Sequence, residues 1–273
     1  MLRLLDRAPI VPLIILALYA AGPLIIIAFN SLKGGPEIAI NQFGPPSLPT
    51  WENFSEAWEH GRFGTTLLNS LKLVALVVPG VLLVGFPAAY ALARHRSRGV
   101  DALVTYLLIA STIPVQLYLL PLFVFFSRTG LMNSLPALAV IYIAKFSPLA
   151  TFLLRAFLLK TPLELEDAAR LDGASEFQML TRILVPICAP VLLTVALITG
   201  LMVWNEFALA ITFIQERELK PVSTSLFAFQ REHETDWSLT NAGAVITLLG
   251  PLVLSFLLQR RFIDGLTAGA VKS

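Results

Sequence analysis

The chain has 273 residues, of which 56% are hydrophobic and only 14% charged, and its mean hydropathy is +0.75. A globular domain carries roughly 25% charged residues, so the composition excludes a soluble domain and points to an all-α membrane protein. A formal charge of +2 offers no surface for nucleic acid, and a lone cysteine, Cys188, excludes an internal disulfide framework.

A bilayer core takes about 20 mostly apolar residues as a helix. Six stretches qualify, near 10–29, 67–92, 102–126, 133–158, 187–213 and 243–259, and together they read as six transmembrane helices of one domain over 1–273. The first follows Arg3 and Arg7, as the apolar part of a signal peptide would. It continues into Phe29-Asn30-Ser31-Leu32-Lys33 without a small-residue cleavage site, so we expect an uncleaved helix. The segment 30–66 is rich in Pro and Gly and carries Trp51, Trp58, Glu52, Glu56 and Glu59. It reads as a solvated loop with short interfacial helices, or as a landing surface for a partner outside the membrane.

Polar groups within the spans are the next feature. Gln116 and Tyr118 follow a break expected at Pro114, and Ser147 precedes Pro148. Lys145 lies near the middle of the fourth span, where a Lys costs about 2.5–3.5 kcal/mol. Asn205 and Glu206 fall in the fifth span, on the order of 11–13 Å from its outer end at about 1.5 Å per residue. Two readings stand side by side. These groups line a polar translocation cavity that hydrogen-bonds a solute, or they hold helices together, with Lys145 paired to Glu206. Prolines 79, 87, 114, 121, 136, 148, 190 and 251 lie in or at the ends of spans, where proline tends to kink a helix.

The loop 159–186 is the best specified part of the chain. Thr161 and Glu164 have capping-box spacing, and Pro162 suits the first helical position. Glu164, Glu166 and Asp167 sit where the helix dipole favours negative charge. Glu166 and Arg170 form an i,i+4 pair. Gly173 suits the left-handed position after a helix, and Ser175 can cap a second helix running to Pro186. Ala168 and Ala169 would let another surface approach the backbone. The alternative is an interfacial unit that only covers lipid headgroups.

The last outer segment, 214–242, carries Glu216, Glu218, Glu232, Glu234 and Asp236 and reads as solvated loop or landing surface. With the N-terminus cytoplasmic, the inner segments hold twelve Lys and Arg: Arg3, Arg7, Arg94, Arg96, Arg98, Arg155, Lys160, Arg170, Arg182, Arg260, Arg261 and Lys272. The outer segments hold seven. The positive-inside rule then places both termini and the 159–186 loop in the cytoplasm. No Gly is followed by Lys-Ser or Lys-Thr, so any ATP chemistry belongs to another polypeptide. His60, His95 and His233 are far apart, and no metal site or nucleophile–base pair is legible. The chain therefore reads as non-catalytic, with no cofactor of its own.

Glu166-Asp167-Ala168-Ala169, three residues, Gly173, nine residues, then Ile183-Leu184-Val185-Pro186 resembles the signature loop of ABC-importer permeases. Asp167 stands for the usual Glu and Val185 for the usual Leu. Pro162–Leu165, Asp172–Ser175, the run Pro87-Ala88-Ala89-Tyr90-Ala91-Leu92-Ala93-Arg94, Trp204–Phe207, Gln259–Phe262 and Gly265–Lys272 resemble the carbohydrate-uptake branch, in particular its maltose-transporter-type second permease. The resemblance implies a type I ABC importer permease fold in a bacterial or archaeal cell (inner) membrane. It implies a heterodimer with a second permease, an ATPase dimer that binds the ATP and Mg, and an extracytoplasmic substrate-binding protein whose cleft the last outer loop probes. It also implies that the 159–186 loop is the coupling helix, with Glu164, Glu166, Asp167, Ala168, Ala169, Asp172 and Gly173 as its ATPase-coupling positions. The solute would be a sugar, polyol or glycerol phosphate. An ion-driven secondary transporter is the competing expectation, and it predicts an internal repeat with paired broken helices; we find no such repeat.

Overall fold

The computed structural model describes residues 10–95, 97–229 and 236–270, with side chains as far as Ser255. Arg3, Arg7, Arg96, Arg231, Glu232, His233, Glu234 and Lys272 lie outside the described residues, as do the side chains of Arg260, Arg261 and the C-terminal motif. The described residues form helices, turns and loops but no strand. They divide into two compact units: residues up to Thr66 with Thr224–Gly250, and Leu67–Ser223 with the residues from Pro251 on.

In the first unit, α1 (Ile10–Asn30) buries only its last residue. Its Leu13, Ile14, Leu16, Leu18 and Tyr19 are exposed around the whole circumference, the pattern of a helix whose solvent is lipid. The segment after it is not a loose loop. Lys33 is fully buried. Its ammonium donates to Asn30 Oδ1 at 3.0 Å, Asn41 O at 2.6 Å and Gly44 O at 2.7 Å, which satisfies all three of its protons. Asn53 Nδ2 then donates to the carbonyls of Ser31 and Lys33 at 3.0 and 2.9 Å. Around this knot fold α2 (Gly35–Ile40) and α3 (Glu52–His60). Lys33→Met should leave three acceptors without their donor, Asn30 Oδ1 and the carbonyls of Asn41 and Gly44, at about 1–3 kcal/mol for each that stays buried. The expected result is faster proteolysis between α2 and α3 and a lower melting temperature, measured on the purified chain; unchanged proteolysis would remove Lys33 as the organiser.

The segment 214–242 also departs from a solvated loop. Val222–Phe229 is a 3-10 helix with Val222, Thr224, Ser225 and Phe229 buried. Ser225 Oγ donates to Thr66 Oγ1 at 2.9 Å. Asp236 Oδ1 accepts from Leu239 N at 3.1 Å and so caps the helix that begins at Trp237 and runs to Ala270. The expected span 243–259 is the middle of that longer helix.

The second unit is built on two long helices, α4 (Phe63–Arg94) and α7 (Leu135–Leu158). Along α7, Leu135, Leu138, Tyr142, Phe146, Ala150, Leu154 and Leu158 are buried at three- and four-residue spacing, which marks one face turned to the core. Small residues bring neighbours close. A Cβ on Gly80 would collide with the Ile143 side chain, and Gly85 faces Thr151. Tight packing of this kind drives association where lipid removes the hydrophobic incentive. Pro79 and Pro87 sit inside α4 without ending it.

Two of the expected spans are not single helices. The third, 102–126, is α5 (Arg98–Thr112) and α6 (Val115–Thr129), bent by 86°. Pro114 lacks an N–H and forces Ile113 out of the helical region, where it adopts φ −67°, ψ 119°. After α7 come α8 (Glu164–Leu171) and α9 (Glu176–Ile187). The fifth expected span, 187–213, is α10 (Ala189–Asn205), which turns 80° from α9, followed by the separate α11 (Ala208–Phe213). Glu206 and Phe207 interrupt it, so Glu206 lies at a helix junction rather than within one continuous helix. Among the described residues, four helices are long and apolar enough to cross a membrane, or up to six if each bent pair is one span.

Candidate functional site

Two clusters in the second unit gather the polar side chains of the spans and the 159–186 loop. In the loop, the expected cap at Thr161 does not form. Thr161 N bonds to Leu158 O, and its hydroxyl donates back to Phe157 O at 3.3 Å, so it belongs to the end of α7. Helix α8 therefore starts later, at Glu164, with no side-chain cap. Its other end is as the spacing predicts. Gly173 has φ +81°; Gly173 N donates to Arg170 O and Ala174 N to Ala169 O, both at 3.0 Å, the paired bonds of a Schellman turn. Ser175 and Gln178 complete a reciprocal capping box for α9. Within α9, Met179–Leu184 is a π-helix in which Val185 N reaches Leu180 O. Pro186 follows immediately. It has no N–H to give to Arg182 O and its ring crowds that carbonyl, which accounts for the wider turn.

Glu166 is the centre of the first cluster, and its side chain is fully buried. Arg94, the last residue of α4, donates Nε to Glu166 Oε1 at 2.7 Å, with Nη2 at 2.6 Å from the same oxygen. Arg94 Nη1 also reaches Leu158 O at 2.8 Å, and Nη2 reaches Thr161 O at 3.3 Å. On the other side of the carboxylate, Arg170 Nη2 lies 3.5 Å from Glu166 Oε2 and donates to Tyr90 Oη at 3.2 Å. Tyr90 Oη lies 3.0 Å from Glu176 Oε2 and 3.3 Å from Glu166 Oε2. It has one proton, which serves the nearer acceptor. Arg170 further bonds Asp167 at 3.2 Å and Glu176 at 3.3 Å.

Of the seven loop positions singled out, Glu166 and Ala169 turn inward and are buried. Glu164, Asp167, Ala168, Asp172 and Gly173 are exposed. Leu171 and Phe177, 89% and 75% exposed, flank the glycine turn on the same free loop. Sequence reasoning missed these two, although apolar side chains set among the charges of an amphipathic helix were a usable signal.

The second cluster surrounds Glu206. Lys145 Nζ lies 3.0 Å from Glu206 Oε1, and Tyr142 donates its hydroxyl to Oε2 at 3.0 Å. Oε2 also accepts from Leu209 N at 3.1 Å and Ala210 N at 3.3 Å, so the carboxylate caps α11. Lys145 stands on the wall of a cavity of about 1240 Å³ lined mostly by apolar groups, together with Tyr118, Ser111 and Ser134. Gln116, Ser147 and Asn205 do not line it. Ser147 Oγ donates to Ile143 O and Asn205 Nδ2 to Leu201 O, each on its own helix, and Gln116 is exposed elsewhere. Of the six candidate pathway residues, then, the fold joins Tyr118 and Lys145 at one cavity and sets Glu206 behind them. Among the described residues, no group of three or more His, Cys, Asp or Glu could hold a metal ion.

Residues 82–266 match the family model described as "Binding-protein-dependent transport system inner membrane component". The chain is 30% identical over 251 residues to the melibiose/raffinose/stachyose import permease protein MelC of Bacillus subtilis (strain 168), covering 92% of this chain and 91% of that protein. It is 31% identical over 256 residues to the trehalose transport system permease protein SugB of Mycobacterium tuberculosis (strain CDC 1551 / Oshkosh), covering 93% of each. A chain from the crystal structure of a bacterial ABC transporter involved in the import of the acidic polysaccharide alginate superposes with a TM-score of 0.77. The identity is 22%, over 95% of this chain and 96% of that one. That likeness establishes the fold, the expected importer-permease architecture.

Proposed function

The chain belongs to the family of binding-protein-dependent transport system inner membrane components, and from this we propose that it is one of two permease subunits of an ABC importer for a sugar or related carbohydrate. It forms half of the translocation pathway. A second permease completes the pathway, a partner ATPase dimer holds the ATP and Mg, and an extracytoplasmic binding protein delivers solute; this chain itself catalyses nothing. Both termini and the α8–α9 loop face the cytoplasm. The names of MelC and SugB support the carbohydrate class.

One observation carries the coupling role. The α8–α9 loop is locked from behind by a buried carboxylate, while Glu164, Asp167, Ala168, Leu171, Asp172 and Phe177 are exposed on its surface. A rigid element with an exposed mixed face is what docking into an ATPase cleft requires. Affinity purification from the native membrane tests the assembly: a second permease and a P-loop ATPase should accompany the chain. Recovery of the chain alone, transporting in liposomes without ATP, would replace this reading with the ion-driven transporter.

Gly173→Pro is expected to leave insertion intact and to reduce solute-stimulated ATP hydrolysis of the reconstituted complex to its basal rate. Proline fixes φ near −65°, where this position needs +81°, and it removes the N–H that bonds Arg170 O. Normal stimulation in that variant would end the docking argument.

A further inference from the structure

We propose that Tyr90 and Arg94 are the positioning residues that transmit movement of the α8–α9 loop to two spans at once. They lie one turn apart at the end of α4, in the Ala-Ala-Tyr-Ala-Leu-Ala-Arg run to which the loop docking itself assigns no task. The inference rests on the reading of the loop as the ATPase contact.

The geometry joins four chain segments at two side chains. Arg94 reaches Glu166 on α8, the carbonyl of Leu158 at the end of α7, and that of Thr161 in the connection between them. A guanidinium presents its donors in a fixed planar fork, so these acceptors move together or their bonds break. The carbonyl end of α7 is also where a helix dipole favours a cation. Arg94 is 10% exposed at its side chain and Glu166 is 0% exposed, so water screens the pair little. Tyr90, one turn earlier, touches both sides of the Gly173 turn: Arg170 and Glu166 before it, Glu176 after it. A tilt of α8 against α9 must therefore pull on α4. From Arg94, α4 runs 32 residues, about 48 Å at 1.5 Å per residue, long enough to carry that pull across a bilayer. Arg155 Nε, bonded to Leu92 O at 3.1 Å, makes a second tie between α7 and α4 at this level.

The test uses the complete complex in proteoliposomes, with its binding protein and its solute. Two quantities are read for each variant: whether the ATPase still co-purifies, and the ratio of solute-stimulated to basal hydrolysis. Tyr90→Phe and Arg94→Gln should retain the ATPase but lower that ratio about fivefold or more, within the range of measured couplings. Arg94→Lys, which keeps the charge on Glu166 without the fork, should recover part of it. In a double-mutant cycle, Tyr90→Phe with Glu176→Ala should do less damage than the sum of the two single changes, because both remove the Tyr90–Glu176 hydrogen bond. A wild-type ratio in Tyr90→Phe and Arg94→Gln overturns the relay, and so does loss of the ATPase from both. Where Arg94→Gln fails to assemble, the isosteric Tyr90→Phe decides. A wild-type complex without any solute stimulation overturns the importer reading beneath the proposal instead.

Discussion

Glu166→Ala is expected to be the most damaging single change in the α8–α9 loop, more so than any change on its exposed face. The substitution leaves Arg94 in a nearly closed site with no carboxylate, and removing one partner of a buried pair costs about 3–5 kcal/mol. It also removes the carboxylate beside Tyr90, so that Arg170 alone links α8 to that hydroxyl. Membrane insertion should survive, because the hydropathy of the spans does not involve this residue. The melting temperature of the purified chain should fall sharply, and solute-stimulated ATP hydrolysis should vanish. Asp167→Asn provides the contrast. Its partner Arg170 and its own side chain are 42% and 69% exposed, and exposed pairs contribute about 1 kcal/mol or less. Its melting temperature should hardly move. A larger thermal loss in Asp167→Asn than in Glu166→Ala would mean that the loop is not anchored through its buried side.

The second large effect concerns the Lys145–Glu206 pair, where the two partners should respond unequally. Glu206 neutralises Lys145, accepts the Tyr142 hydroxyl and caps α11 through two backbone N–H groups. Glu206→Ala removes all of these at once, so about 3–5 kcal/mol is expected from the stranded partners, with about 1 kcal/mol more from the lost cap. Lys145→Met leaves Glu206 with three hydrogen-bond donors and replaces a cation whose side chain is 27% exposed by an apolar chain of similar length. Its thermal cost should be about 1–3 kcal/mol, the range for a polar group that loses one partner. Transport should change more than stability in that variant, because Lys145 carries the ammonium on the cavity wall. Thermal unfolding and solute uptake of both variants decide the matter. Equal melting temperatures would deny Glu206 its structural role, and unchanged uptake in Lys145→Met would leave Lys145 as a tether for Glu206.

These two predictions separate what the chain says locally from what it says only when folded. The spans were legible because lipid imposes a length and a composition on each helix independently. The termination of α8 at Gly173 and the capping of α9 at Ser175 were legible for a similar reason: a positive φ and a capping box involve residues within one turn. Even the Glu166–Arg170 contact was visible as an i,i+4 spacing. The expected cap at Thr161 failed because α7 captured its hydroxyl first, a competition between adjacent helices that spacing alone does not settle.

The direction in which each loop residue points was decided elsewhere. Glu166 and Asp167 are neighbours in an acidic run, yet one is buried and the other exposed, because Arg94 lies 72 positions away in sequence and only the packing of α4 against α7 brings it there. Lys33 reads as a loop cation until two carbonyls from later in the same segment close over it. The fifth span reads as continuous until Tyr142 and Lys145, on another helix, hold Glu206 at the junction between α10 and α11. The membrane class, the apolar stretches and the local turns are readable in the order of residues, since each depends on contacts within a few residues or on lipid. Tertiary structure decided which charges are buried, because desolvating a charge is tolerable only where a distant partner arrives to meet it.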